Sequence, residues 1–335
     1  MYKYTLIFII CLTSTLAFGQ SKDSTVVAKR GDGIYSLLKA HNIAFSYADA
    51  FIELNKTKLT SSNGLIAGKT YTLPIVKVDS ITKAPLDSKL KIKEPLFGKK
   101  YSEVTIENDK LKNNVYYLIS GHGGPDPGAT TTYNSKLISE DEYAYDVTLR
   151  LARKLMENGA KVYIIIKDKN DGIRDQRVLE VDYDEVAHPN NKIPRNHRLR
   201  LQQRTKAVNN LYQKHKGAYQ RLVVTHVDSR NTGKNVDVFF YHHKNSKSGK
   251  RLADNILKSF RLKYAKHQPN REYSGSVSAR SGLYLIKNTT PAMVYIELGN
   301  IKNAKDQRRI LNYENREALA NWIHNGLLMD FEENH

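Results

Sequence analysis

The sequence predicts an α/β domain with a mostly parallel, twisted sheet flanked by helices, preceded by a small βααβ unit. Three observations carry this. From Val115 onward, short apolar runs alternate with longer amphipathic stretches, the rhythm of strand and crossover helix. Three of those runs end in a histidine or a glutamate, where ligand-binding groups gather beyond the carboxyl ends of strands. Ahead of them, residues 24–75 form a compact pattern of their own, set off by a lysine- and proline-bearing stretch.

In chain order, the first segment, 1–19, has Lys3, an apolar run from Leu6 to Leu16 and the small-x-small ending Ala17-Phe18-Gly19. This is the pattern of a secretory signal peptide cleaved before Gln20. The run is short of the ~20 residues of a spanning helix, so no stable membrane insertion is expected after signal removal. The chain's one cysteine, Cys11, lies inside this segment. A thiol-free mature chain excludes disulfides, a cysteine nucleophile and thiolate metal sites, leaving histidine, carboxylate and water as ligands.

Residues 24–75 combine a strand-like Thr25–Ala28, a turn at Arg30–Gly33, helical stretches through Leu37-Leu38 and Phe51–Asn55, and a closing run from Leu65 to Pro74. Residues 76–112 hold lysines, Pro85, Pro95 and isolated apolar residues without a sustained period, and read as a linker. The domain at 113–330 then offers 115–119, 140–157, 162–166, 199–214, 222–225, 236–241, 249–264, 283–286, 292–296 and 313–328 as its elements. Composition is that of a globular protein, with 40% apolar and 26% charged residues. The net charge of +19, one fewer once Lys3 leaves, favours an anionic polymer as partner. The lysines are not interleaved with aromatics, and with a secretion signal an envelope polymer is expected rather than nucleic acid.

Chemistry concentrates at four positions. His122 follows the first strand in Gly121-His122-Gly123-Gly124-Pro125-Asp126-Pro127-Gly128, a turn flexible at its glycines and stiffened by its prolines. His226 ends Leu222–His226, and Glu297 ends Met293–Glu297. The helix opening Ser139-Glu140-Asp141-Glu142 offers a carboxylate. Ser139 with Glu142 reads as a capping box, which would occupy Glu142 and release Glu140 on the face of Ala144, Val147, Leu151 and Leu155. Glu142 stays the alternative.

These motifs resemble the zinc-dependent N-acetylmuramoyl-L-alanine amidases of the type-3 group. The likeness rests on Gly121–Ala129, the glutamate opening the next helix, Arg204 to Asn209, Thr225-His226 and Pro291 to Asn303, in family order over nearly all of 113–330. It implies that His122, Glu140 and His226 are zinc ligands and Glu297 the catalytic glutamate. The implied reaction is zinc-activated hydrolysis of the amide joining N-acetylmuramic acid to the L-alanine of the stem peptide, in the periplasm or cell envelope. Residues 24–75 resemble a LysM module through Gly31-Asp32, Asn55 and the closing Gly-Lys-x-Tyr-x-Leu-Pro strand, implying a hold on glycan. Peptidoglycan, glycan and stem peptide together, is then the partner, with room for a regulatory protein. A catalytically silent wall-binding scaffold and a zinc peptidase cutting within the stem are the competing readings.

The chain departs from the family pattern at Asp228, where His-x-Asn is usual, and at Asn300, where a phenylalanine usually follows Glu-Leu-Gly. It also carries a long polar stretch, 172–198, that reads as a lid, a docking element or a surface insertion. His188 and His197 lie within it and are candidates to approach the cleft. His242 and His243 are consecutive strand residues that point to opposite faces and cannot easily share a metal. Arg204 and Asn209 are expected to orient backbone rather than touch substrate.

Overall fold

The computed structural model describes residues 24–30, 32–41, 43, 47–60, 64–74, 89–228, 237–270 and 273–334. The expected signal segment, 1–19, and Gly31 lie outside them. The chain divides into two compact units, residues 1–82 and 83–335.

The first unit runs β1 (Thr25–Val27), α1 (Ile34–Ala40), α2 (Ala48–Asn55) and β2 (Thr70–Thr72). Its two strands pair antiparallel, with Thr25 opposite Thr72, over a core of Leu37, Leu38, Phe51, Tyr71 and Leu73. So small a core needs local stitching. Asn55, fully buried at the end of α2, provides it: its Nδ2 donates to the carbonyls of Phe51 (2.9 Å) and Thr72 (2.8 Å), and its Oδ1 accepts from the Thr72 amide (2.8 Å).

The second unit starts earlier than its sequence suggests. Residues 76–88 of the expected linker lie outside the described residues, but 89–112 are folded. They form β3 (Lys91–Lys93), a 3-10 turn at Pro95–Phe97, α3 (Gly98–Tyr101) and β4 (Glu103–Thr105), with β3 and β4 antiparallel. Phe97, Val104 and Leu111 are completely buried in the main core. Each is a single anchor without a periodic neighbour, which is why the stretch looks like linker in sequence.

The elements that follow are β5 (Val115–Ser120), a hairpin of β6 (Thr130–Tyr133) and β7 (Lys136–Ser139), α4 (Glu140–Glu157), β8 (Lys161–Ile164), and the short strands β9 (Ile166–Lys167), β10 (Val186–Ala187) and β11 (Asn191–Lys192). Then come α5 (His197–Lys214), β12 (Gln220–Asp228), β13 (Phe239–His242), α6 (Lys247–His267), β14 (Ser276–Ala279), α7 (Tyr284–Asn288), β15 (Ala292–Asn300), α8 (Ala304–Leu311) and α9 (Tyr313–Glu332). Among the described residues the main sheet has six strands in the order β14-β13-β15-β12-β5-β8. Four of its five pairings are parallel; β13 runs antiparallel to β15, making the sheet mixed.

Alternate residues of the central strands serve two cores, as a period of two requires. Tyr116, Leu118, Val223, Val294 and Ile296 face the layer of α4, α6 and α9, while Tyr117, Ile119, Leu222, Val224 and Met293 face α5 and α7. The apolar run at 283–286 belongs to the short helix α7 rather than to a strand, and α8 follows no apolar run evident in sequence. The stretch 172–198 is folded on the domain: β10 joins β9 and β11 in a small sheet, and Leu179, Ala187 and Ile193 are buried.

Arg316 of α9 fixes this stretch from below. Fully buried, it pairs with Asp146 Oδ2 (2.6 Å) and donates to the carbonyls of Ile310, Leu311, Arg174 and Gln176. Removing a guanidinium this completely bonded takes a buried donor from four carbonyls and from Asp146, of which the Arg174 carbonyl and Asp146 keep Arg150. Arg316→Met should lower the unfolding free energy by about 3–5 kcal/mol. Denaturant titration checks this, and a loss within error of zero would refute it.

Candidate metal and catalytic site

Strand β5 hands the chain to a loop whose backbone is unusual at the residue that matters. His122 has φ 61, left-handed for a residue with a Cβ, followed by Gly123 at 95 and Gly124 at 64. A non-glycine side chain held there marks a place where the surroundings outweigh local preference. Arg204, buried in α5, donates to the His122 carbonyl and holds the turn, as its orienting role anticipates. Two glycines are steric requirements. A Cβ on Gly121 would run into the His226 ring, and one on Gly128 would lie 2.7 Å from His122 Cδ2 and 2.8 Å from Glu140 Oε2.

His122 Nδ1 meets Asp126 Oδ2 at 3.0 Å, and Arg200 Nη2 holds the same oxygen at 2.6 Å. That arrangement fixes the ring and turns Nε2 toward Glu140 Oε2, 3.3 Å away. Glu140, the first residue of α4, is almost fully buried. Its Oε1 meets His226 Nδ1 (2.8 Å) and accepts from the Val227 amide (3.0 Å), while Oε2 accepts from the Ala129 amide (3.0 Å). Donor atoms of His122, Glu140 and His226 lie within 4.8 Å of one another. Tyr295 stacks on the His226 ring with centroids 4.6 Å apart.

The capping box does not form. Ser139 makes no side-chain cap bond; its hydroxyl donates to Asp141 Oδ1 (2.6 Å), and Glu142 pairs with Arg174 (2.7 Å) and accepts from the Asp182 amide (3.1 Å). Glu142 is nonetheless engaged away from the histidines, leaving Glu140 as the carboxylate between them. The register places His226 of β12 directly beside Glu297 of β15, and both side chains fall on the α5/α7 face. Tying this edge to α4 from the other face, the Thr225 and Thr148 hydroxyls meet at 2.7 Å.

Electrostatics follow from burial and proximity. Burial disfavours a charged His122, but its hydrogen bonds to Asp126 and Glu140 outweigh that and push its pKa up to about 10. Burial likewise opposes a charged Glu140, yet the two histidines hold it well below the usual carboxylate range. Burial pushes the pKa of His226 down, against the pull of Glu140.

A cavity of about 1010 Å³ opens over these groups, with His122, Glu140, His226 and Glu297 on its floor. Its walls include His197, Arg198 and Arg200 at the start of α5, Leu283 and Tyr284 near α7, and Asp228 and Tyr295. His197 thus reaches the cleft, whereas His188 packs edge-on against Tyr163. His242 Nδ1 meets the His243 carbonyl, away from the cluster. Asn209 braces the turn before β15, bonding Asn288 O and Thr290 N. Sequence reasoning passed over Asp126, Arg200, Tyr295 and the α7 wall. Asp126, four residues past His122 in a stiff turn, was the one with a readable signal.

The chain is similar to several known proteins. A germination-specific N-acetylmuramoyl-L-alanine amidase of Bacillus subtilis is 25% identical over 227 residues, 67% of this chain and 82% of the relative. Among solved structures, the CwlD amidase of Clostridioides difficile in complex with the GerS lipoprotein is 22% identical, with TM-score 0.49 over 66% of this chain and all of that one. The CwlV catalytic domain from Bacillus (Paenibacillus) polymyxa is 19% identical, with TM-score 0.47 over 65% of this chain and 98% of that one. The profile of the N-acetylmuramoyl-L-alanine amidase family Amidase_3 matches residues 117–329, well over half the sequence, and the chain belongs to that family.

Proposed function

We propose that this peptidoglycan amidase binds one zinc ion through His122, Glu140 and His226, and that Glu297 moves the proton as the amide between N-acetylmuramic acid and L-alanine is hydrolysed. The observation that carries this reading is the convergence of two imidazoles and a carboxylate beside Glu297 on the floor of one cavity. The donor set suits zinc. Two ligands each about 2.0–2.1 Å from one tetrahedral ion lie roughly 3.3 Å apart, which is the His122 to Glu140 separation.

Zinc held there supplies Lewis acidity, making water a nucleophile near neutral pH and polarising the amide carbonyl. The chain's own groups do the rest. Glu297 takes the proton from the attacking water and delivers it to the departing amine nitrogen. Asp126 keeps His122 Nδ1 engaged so that Nε2 faces the ligand position, and Tyr295 holds the His226 ring flat. Arg198 and His197 at the rim offer positive charge and hydrogen bonds to stem-peptide carboxylates. The order of elements in residues 24–74 is that of a LysM-like module, which we read as a hold on glycan; the sequence at 1–19 supports an envelope location. Among the described residues no helix is long and apolar enough to cross a membrane.

Purified peptidoglycan should release stem peptides bearing a new L-alanine amino terminus, lose that release on chelation and regain it with zinc. Fragments cut between amino acids, identified by mass, would replace this reading with a peptidase. Glu140→Ala should lose most of its zinc and Glu142→Ala should keep it, read by metal analysis; the reverse would reassign the ligand. Glu297→Gln should retain zinc while kcat falls by about 10²–10⁴-fold.

Zinc must displace the proton that Asp126 and Glu140 hold on His122. Below about pH 10 in the metal-free protein that proton is present, so affinity should rise about tenfold per pH unit between pH 6 and 8. Competition against a chelator of known pH dependence measures the slope. A flat profile would mean that His122 binds as an already neutral ring.

A further inference from the structure

Beside the histidine site lies a second group of ligand-type side chains that the amide hydrolysis does not use. We propose that Asp141, Glu142, Asp168, Asp182 and Glu185 bind a hard divalent cation, calcium by its chemistry, which ties the segment 168–185 to the loop carrying His122. Oxygens of Asp141, Glu142 and Glu185 lie within 4.8 Å of one another, as do those of Asp168, Asp182 and Glu185. Glu185 is common to both sets, and its Oε2 accepts from the Gly124 amide at 2.6 Å, two residues after His122.

Carboxylates alone would not make a site. The first turn of α4 favours acids at 141 and 142 through the helix dipole, and Arg174 neutralises Glu142 and Asp171. Neither accounts for two oxygens. Asp141 is 2% exposed; its Oδ1 is taken by the Ser139 hydroxyl and the Glu142 amide, while its Oδ2 is sealed from solvent with no hydrogen-bond partner. Asp182 Oδ1, in the other set, is enclosed and unbonded in the same way. Buried acceptors without donors are rare, and a bound ion is one partner that satisfies them. Burial and neighbouring acids also push Glu185 up to about 8 and Asp168 to about 6, so a cation meets groups poorly disposed to hold charge unaided.

The donors are all oxygen, from three separate chain segments, without nitrogen or sulfur. Calcium takes six to eight such ligands in flexible geometry, whereas zinc prefers the mixed set next door. The mouth of the group is acidic too, with Asp184 and Glu180 exposed near Asp182 and Asp171. In an envelope compartment, occupancy at about 0.1–1 mM calcium is the relevant range.

The test uses the full chain, preloaded with zinc, titrated with calcium chloride by calorimetry and melted with and without about 5 mM calcium. One calcium per chain and a rise in Tm of about 2–5 °C are expected. Glu185→Gln and Asp168→Asn should lose both signals, while Asp184→Asn, outside the set, should keep them. Zinc content, measured alongside, should stay at one per chain. Absence of heat and of a Tm shift in the wild-type protein would overturn the proposal and leave buried protons as the neutralising species. Calcium stabilisation undiminished in both variants would overturn it as well, by placing the ion elsewhere. Neither readout depends on turnover, so its failure is separate from failure of the zinc reading.

Discussion

The carboxylate of Glu140 is the constraint around which this domain is arranged. It is almost fully buried, and four groups compensate for the lost solvation: the rings of His122 and His226 and the amides of Ala129 and Val227. Those groups come from two places, the two ends of the loop joining β5 to β6 and the end of β12. A charge so enclosed is tolerated only when its partners are fixed. Loss of any one therefore leaves the rest strained, and the same demand for fixed partners that makes the site costly to build makes it ready for a cation.

Fixing them is the work of the sheet. Parallel pairing of β12 with β5 and β15 aligns three carboxyl ends on one edge, and the period of two puts His226 and Glu297 on a common face. A slip of one residue in β15 would turn Glu297 toward the α4 layer. The register is protected by residues with no chemistry: Val223, Val294 and Ile296 on one face, Leu222, Val224 and Met293 on the other. Gly121 and Gly128 then let the rings approach closely, since a methyl group at either would occupy space taken by His226 or by His122 and Glu140. Packing precision and site geometry are one requirement here.

What could be read from sequence divides along the same line. Strand ends, helix α4 and the polar groups at 122, 140, 226 and 297 follow from local periodicity, and periodicity is preserved in the chain itself. Interactions set by distant residues were not legible. The Ser139–Glu142 pattern suggested a capping box because nothing local reveals that Arg174 and the Asp182 amide, thirty to forty residues on, take the glutamate. Residues 89–112 looked like linker because Phe97, Val104 and Leu111 reach the core as lone anchors, so no repeat betrays them. The Leu283–Ile286 run was too short to distinguish helix from strand, an ambiguity that length alone could not resolve.

The two departures from the family pattern turn out to be physical neighbours. Asp228 and Asn300 are register partners at the ends of β12 and β15, and the Ile301 amide donates to the Asp228 carbonyl at 2.9 Å. Asn300 Oδ1 accepts from the Lys302 amide (2.9 Å), shaping the turn into α8, a bond that a phenylalanine side chain could not make. Asp228 lines the cleft, whose charged groups include Asp126, Glu140 and Glu297 as well as Arg198 and Arg200. The two positions are thus one local unit at the ends of adjacent strands. Of the two, Asp228 lines the cleft while Asn300 is fully buried behind it, so only the former can meet what enters, and substrate acceptance is where members of one fold diverge.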